Sequence, residues 1–498
     1  MVSGCSILPQ SPPQPKVYSL PPAMSGEIAQ VYQKVTHQAA PGEAGFILLT
    51  ENDEALKWRL ALTDHATKSI DVQYFIWQAD AVGSLLFDRL LRAADRGVRV
   101  RVLVDDLMFA PKDRDIAAIS RHPNFEIKLF NPGRVRGSTV LGLGEFLMNF
   151  RQLNRRMHNK LFVVDNRVAI VGGRNIGNEY FGLSRKYNFR DLDVLVMGSV
   201  VEKEISQAFD EYWNAKVAFP GGAASRRATL EDLRRLQKEN LDFIDEHREL
   251  LSAYPLEPRD WSGRISNLSA SMKVGIARFL QDDPVKLGNQ EYRLVDMLEY
   301  LAEPQRQELI LTTPYLIPVK GFLEDLAKLE SEGVRVIIIT ASMASNNHTI
   351  AHSHYKKYRR RILATGAELY EFRAQPATDM RRISDVPPVT AKFISLHVKA
   401  LVGDRKRCFV GSLNLDPRAI EINTENGLYI QSEALCGKIA REFEKMMDPD
   451  NSWHVYVDQN NYLNWSSNSG TVLAQPARSF WQRIADLFYR WLPIEKQL

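Results

Sequence analysis

Residues 157–181 read MHNKLFVVDNRVAIVGGRNIGNEYF, and residues 396–425 read LHVKALVGDRKRCFVGSLNLDPRAIEINTE. Both follow one rule: histidine, any residue, lysine, four residues, aspartate, then glycine 14 and asparagine 17 positions after the histidine. The first set is His158, Lys160, Asp165, Gly172 and Asn175, and the second is His397, Lys399, Asp404, Gly411 and Asn414. The apolar run LFVV and the following RVAIVGG predict neighbouring strands. Positions i and i+2 of a strand face the same way, so each histidine emerges beside its lysine.

The echo reaches well beyond the motif. SIDVQYFIWQADAVGSLLFDRLLRAADRGVRVRVLVDD (69–106) reads as an apolar strand, a helix with Leu85, Leu86, Leu90 and Leu91 on its inner side, a stop at Gly97, and a strand from Val98. ELILTTPYLIPVKGFLEDLAKLESEGVRVIIITAS (308–342) repeats that grammar, with Gly333 in the place of Gly97. From Ile70 to His158 is 88 residues and from Ile310 to His397 is 87. A chance echo of a short motif would not keep that spacing. The chain is therefore read as α/β, two pseudo-symmetric α/β/α sandwich halves packed face to face. The boundaries expected are a Pro-rich tether at 1–44, a first half at 45–216, a mainly helical connector at 217–290, a second half at 291–470 and an amphipathic tail at 471–498.

Composition narrows the chemistry. With 498 residues and 45% hydrophobic content the chain can fill large cores. Its 64 basic residues stand against 60 acidic ones, so any anion site is local and no global basic field marks a nucleic-acid binder. Three cysteines, Cys5, Cys408 and Cys436, are too few and scattered for a disulfide framework or a Cys-rich zinc site. No apolar run of membrane-spanning length occurs. Val2-Ser3-Gly4-Cys5 resembles the end of a bacterial lipoprotein signal without the regions that precede one, making Cys5 a candidate for lipidation or, on the plainer reading, a stray thiol in a floppy terminus.

If the halves meet, one space holds two imidazoles, two ammonium groups and two amides. That kit suits an anionic tetrahedral centre. One histidine can attack phosphorus to form a phosphohistidine while the other protonates the leaving alcohol and later deprotonates the acceptor. Asp191 and Glu425 are expected to orient the two rings, with Asp193 as a substitute for Asp191. Asn175, Asn414 and Ser412 are the expected phosphate donors. Gly173 stands where the second half has Ser412. Asp165 and Asp404 complete the catalytic motif, although their place beyond the strand also suits a capping role.

In these residues the chain resembles the phospholipase D superfamily, over nearly everything from about Gly45 onward. RRMHNKLFVVD, VGGRNIGNEYF, DLDV, GSLNLDPRAIEINTE and the SFW of the tail are similar to the bacterial cardiolipin synthases of the C type. The resemblance implies metal-independent, cofactor-free phosphatidyl transfer, with His158 as nucleophile and His397 as general acid and base. It also implies phospholipid substrates (phosphatidylglycerol, with phosphatidylethanolamine a second candidate), a monomer with an intramolecular two-half site, and a place on the bacterial inner membrane, peripheral or lipid-anchored. Hydrolysis to phosphatidic acid is the alternative outcome of the same intermediate. A nuclease and a non-catalytic lipid-binding scaffold are the remaining readings.

Two further segments raise expectations. His348, His352 and His354 lack a third acid or cysteine at ligand spacing, so contact with a lipid headgroup is favoured over a metal. In the tail, Phe480, Trp481, Ile484, Leu487, Phe488, Trp491 and Leu492 share one broad helical face, fit either for a membrane interface or for the protein's own core.

Overall fold

A computed structural model describes residues 6–7, 14–109, 113–133, 135–136, 153–223, 228–285, 294, 305–492 and 495–497. The aliphatic and β-branched runs form strands in two sheets with the same order. From the junction outward, the first sheet runs Glu43–Leu49, Asp193–Met197, Val168–Gly172, Leu161–Val164, Ser69–Tyr74, Arg99–Asp105, Phe125–Phe130. The second runs Lys273–Gln281, Asn426–Gln431, Arg407–Gly411, Ala400–Gly403, Glu308–Thr312, Arg335–Ala341, Glu368–Phe372, and adds Ser452–Val457. In each, three successive strands are parallel and the motif strands return antiparallel.

Side-chain alternation sorts the apolar residues into three cores. Val168, Ile170, Leu195 and Met197 face outward, into a core that also holds Leu85, Leu86 and Leu90 of helix Ala81–Asp95. Ala169, Val171, Val194 and Val196 face inward, into a core shared with Ile337, Ile339, Val410 and Ile430 of the other half. Val336 and Ile338 face the second outer core. Because strand periodicity is two, a one-residue slip would exchange the shared core for an outer one, so register is tightly specified.

Strand Lys273–Gln281 sews the halves together. Its residues 273–276 pair with 43–46 of the first sheet and 276–281 with 426–431 of the second. Two expected boundaries are corrected by this. The 217–290 connector contributes strands to both halves, since Ala218–Pro220 also pairs with 128–130. Its helix Leu230–Glu246, capped by Thr229, packs back on the first half, where Asn240 Nδ2 donates to Ser84 O at 3.1 Å. The 1–44 tether is likewise only partly a tether. Helix Glu27–Gln38 buries Ile28, Val31 and Val35, and Ser19 N donates to Asp210 Oδ2 at 2.7 Å. Proline-rich composition masked a proline-free stretch whose apolar spacing is helical. Cys5 lies outside the described residues. Cys408 and Cys436, which sequence reading left apart, are disulfide-bonded across strand Arg407–Gly411 and helix Glu433–Met447, with Cα atoms 5.6 Å apart.

Candidate active site

The motif residues meet where the two halves face each other. His158 and Lys160 precede strand Leu161–Val164 instead of lying in it, and their backbone turns to the other half. His158 N donates to Thr424 O at 2.9 Å, and His397 N donates to Arg190 O at 2.9 Å. Those acceptors immediately precede Glu425 and Asp191. The carboxylates consequently cross the interface: His158 Nδ1 lies 2.8 and 2.9 Å from the Glu425 oxygens, and His397 Nδ1 lies 2.6 Å from Asp191 Oδ2. Each ring is oriented by an acid of the opposite repeat, with Nε2 left as the nitrogen to face a substrate.

Asp191 and Glu425 are structural equivalents despite their unequal offsets. Gly172 pairs with Asp193 and Gly411 with Gly427, so each acid sits two residues before its glycine's partner. The five additional residues in the first half accommodate Tyr187–Arg190, which pairs in parallel with Phe393–Leu396 of the second. Asp193, the proposed substitute, is bonded instead to Arg59 at 2.9 Å and stands 3.3 Å from Arg174. Arg174, also bonded to Asp191 O at 2.8 Å, ties that loop down.

The Gly173/Ser412 difference belongs to the acids and not to the substrate. A Cβ on Gly173 would collide with the Asp191 carboxylate. Ser412 Oγ donates to Glu425 Oε2 and accepts from Asn426 N at 2.9 Å. Ser412 is thus corrected from phosphate donor to a group that positions Glu425. Asn175 is corrected in the same way. Its Oδ1 accepts from Ile76 N at 3.1 Å and its Nδ2 donates to Tyr180 Oη at 3.0 Å, pinning the aromatic wall. Asn414 differs, for its buried Oδ1 has no protein partner.

Asp165 and Asp404 sit at the far end of their strands, seven residues from each histidine, or about 20 Å at strand rise. Asp165 accepts from the backbone amides of Thr67, Lys68 and Ser69, and Asp404 from those of Arg306, Gln307 and Glu308. Both are corrected from catalytic members to braces for the start of the neighbouring central strand. Asp165→Ala should cost about 3 kcal/mol, because three amides lose a charged acceptor, while kcat of the remaining folded enzyme stays within a factor of three. Denaturant melts paired with active-site-titrated rates check this, and a kcat loss without a stability loss would restore the catalytic role.

Burial sets the electrostatics. It lowers the ammonium of Lys160 to about 7 and that of Lys399 to about 8, against the pull of the Asp191 and Glu425 carboxylates. Each Nζ rests on a carbonyl of its own motif, Lys160 on His158 O and Lys399 on His397 O at 2.6 Å. Burial and both lysines hold His158 and His397 well below the ordinary histidine value, which keeps the rings neutral and nucleophilic. Burial raises Asp191. Among the described residues no cluster of three or more candidate metal ligands occurs.

Sequence reading missed the aromatic frame. Phe75 stands edge-on to His158 at 5.1 Å, while Phe189 and Tyr180 flank His397 at 4.5 and 5.4 Å. Tyr180 and Phe189 also line a cavity of about 910 Å³ on the His397 side, with Lys186, Arg373, Lys392 and Arg478 among its walls. His348 opens onto it. His352 and His354 do not, being bonded to Asp486 at 2.9 Å and Glu495 at 3.2 Å.

A family model described as the phospholipase D-like domain of cardiolipin synthase matches residues 60–213 and 297–447. Cardiolipin synthase C of Escherichia coli K12 is 33% identical over 470 residues, covering 91% of this chain and 96% of the relative. An uncharacterized protein of Helicobacter pylori 26695 is 29% identical over 462 residues, 92% of this chain and 90% of the relative. Among solved structures, a phosphatidylserine synthase from Haemophilus influenzae Rd KW20 shares the fold with a TM-score of 0.55 at 15% identity, over 86% of this chain and 92% of that one.

Proposed function

Since the chain belongs to the phospholipase D-like cardiolipin synthase family and is a phosphatidyltransferase of that kind, we propose that it joins two phospholipids through a phosphatidyl-histidine on His158. The observation that carries this reading is the pair of imidazoles, each with Nδ1 bonded to a carboxylate of the other repeat.

His158 Nε2 attacks the phosphorus of the donor lipid. The bond to the headgroup oxygen breaks, and His397, charged once the phosphate anion is bound, delivers its proton to that oxygen, releasing a small alcohol. Lys160, Lys399 and the Nδ2 of Asn414 stabilise the charge that develops on the phosphoryl oxygens. The hydroxyl of a second phospholipid then enters, His397 takes its proton, and the new oxygen–phosphorus bond displaces His158. With phosphatidylglycerol on both sides the products are cardiolipin and glycerol, and with phosphatidylethanolamine as donor they are cardiolipin and ethanolamine. The acid-base role of His397 is supported by the cavity of about 910 Å³ that shares Tyr180 and Phe189 with it. The reaction takes place at a bacterial membrane surface, by a peripheral protein acting as a monomer.

Incubating purified protein with phosphatidylglycerol, with and without phosphatidylethanolamine, tests the reading by lipid analysis. Cardiolipin plus a released alcohol is expected. Phosphatidic acid as sole product would replace transfer by hydrolysis.

The lysines make the pH profile a second check. In the free enzyme both become neutral as pH rises through about 7 and about 8, whereas the diester stays an anion. The value of kcat/KM should therefore fall on the alkaline side with a midpoint in that interval. In kcat the same limb should move up, because a bound anion favours the charged lysines. A kcat/KM that stays flat to pH 10 would contradict it.

A further inference from the structure

The tail helix Phe480–Tyr489 is built inside out. Residues four apart on one face, Gln482 and Asp486, are the two it buries. Gln482 Nε2 donates to Met343 O at 2.6 Å, and Asp486 receives His352 at 2.9 Å, Lys356, and Gln475 at 3.3 Å. Arg359 in turn lies 2.9 Å from the other nitrogen of His352. The polar face is thus bonded to the second half, mostly through helix Thr349–Tyr355 and the residues just beyond it. On the opposite face Phe480, Trp481, Ile484, Leu487 and Phe488 point outward, followed by Trp491, which is 81% exposed. A helix of a soluble domain buries its apolar stripe and solvates its polar one. The expectation that the apolar face packs on the protein's own core is corrected: the helix docks on its own protein by its polar side, and its apolar side stays exposed.

Two features of the molecule bear on what covers that face. Arg483 and Arg490 on the helix are exposed cations that flank its aromatic face. Trp and Phe flanked by such cations match the headgroup layer of an anionic bilayer. The helix is also continuous with the cavity that shares Tyr180 and Phe189 with His397, since Pro476, Ala477 and Arg478, just before its Ser479 cap, form part of the cavity wall. Four cations line that cavity, while its acid, Glu179, has its carboxyl pushed up by burial to about 7. The cavity wall therefore leads directly along the chain into the helix that carries the outward apolar face.

We propose that the outer face of Phe480–Tyr489, together with Trp491, docks on an anionic phospholipid bilayer and sets the cavity entrance against the headgroups, so that substrate lipids pass from the bilayer into the site without crossing water. The proposal names the route by which the transfer reaction above is supplied, and it rests on that reading only for its turnover arm.

The full chain and a Trp481→Ser/Phe488→Ser/Trp491→Ser variant are compared by flotation with vesicles of phosphatidylglycerol and phosphatidylcholine. Because all three positions are solvated, the variant should melt like the parent. Partitioning should drop by roughly 100-fold or more, given the apolar area withdrawn from the interface. Turnover of vesicle lipid should fall in parallel, while turnover of a short-chain phosphatidylglycerol below its micelle concentration stays within about twofold, the chemistry being untouched. Unchanged flotation overturns the proposal. So does a parent that sediments as a dimer and a variant that sediments as a monomer, which would make a second copy the occupant. If neither protein turns over any phospholipid, transfer fails as a reading, and flotation still decides the docking.

Discussion

His158→Ala is expected to lower phosphatidyl transfer by roughly 10⁴-fold or more and to abolish the covalent phosphatidyl-enzyme, since it removes the nitrogen that bonds to phosphorus. His397→Ala should slow turnover on natural lipids to a similar degree, yet still let label accumulate on His158 when the donor carries a leaving group that needs no proton. The two variants thus separate by trapping and not by rate. Denaturing the enzyme during turnover of phosphorus-labelled phosphatidylglycerol, or of its nitrophenyl analogue, and following acid-labile label on the protein provides the measurement. Label that survives in His158→Ala and vanishes in His397→Ala would exchange the assigned roles.

The crossed carboxylates supply the next largest effect. Glu425 lies in the second repeat but holds the first repeat's histidine at 2.8 Å, and Asp191 does the reverse at 2.6 Å. Glu425→Gln keeps the shape and removes the charge, so the ring loses its fixed tautomer and the field that stabilises it when phosphorylated. A loss of about 10²–10⁴-fold is expected, confined to formation of the phosphatidyl-enzyme. Asp191→Asn should instead slow the steps that move a proton at His397. Partners that act as a unit are strongly non-additive. Adding Glu425→Gln to His158→Ala should therefore cost little more, while adding it to His397→Ala should cost nearly its full effect. Coupling of Glu425 to His397 in such a cycle would refute the exchange across the interface.

Much of this was legible in the chain. The matched spacing from Ile70 to His158 and from Ile310 to His397 predicted the duplicated halves, because a strand–helix–strand unit has a characteristic length and the glycine stops mark its helix ends. The histidines, the lysines and both carboxylates that hold the rings were also within reach, since the duplicated spacing marked the first four and an oriented imidazole calls for a nearby acid. What the sequence could not carry was pairing across the interface. An offset of 28 or 33 residues describes distance along one repeat and is silent about the other. The aromatic frame was invisible for a related reason, as Phe75, Tyr180 and Phe189 have no pattern that separates a wall of the site from ordinary core. Ser412 and Asn175 misled because a hydroxyl or amide near a predicted phosphate invites assignment to it, whereas in a buried site such groups are more often consumed in holding the charged residues still. The N-terminal helix was lost to composition, since prolines on either side outweighed the spacing of Ile28, Val31 and Val35.

Strand Lys273–Gln281 has a consequence for how such a protein can diversify. Because it is laced by backbone to both sheets, the gap between the two repeats is held by main-chain geometry common to almost any side chains. Mutational drift on the outer helices or in the headgroup walls leaves the span between the imidazoles unaltered. The frame can accordingly be conserved by architecture while the choice of lipid is retuned residue by residue, and new specificities are open to selection without rebuilding the reaction centre.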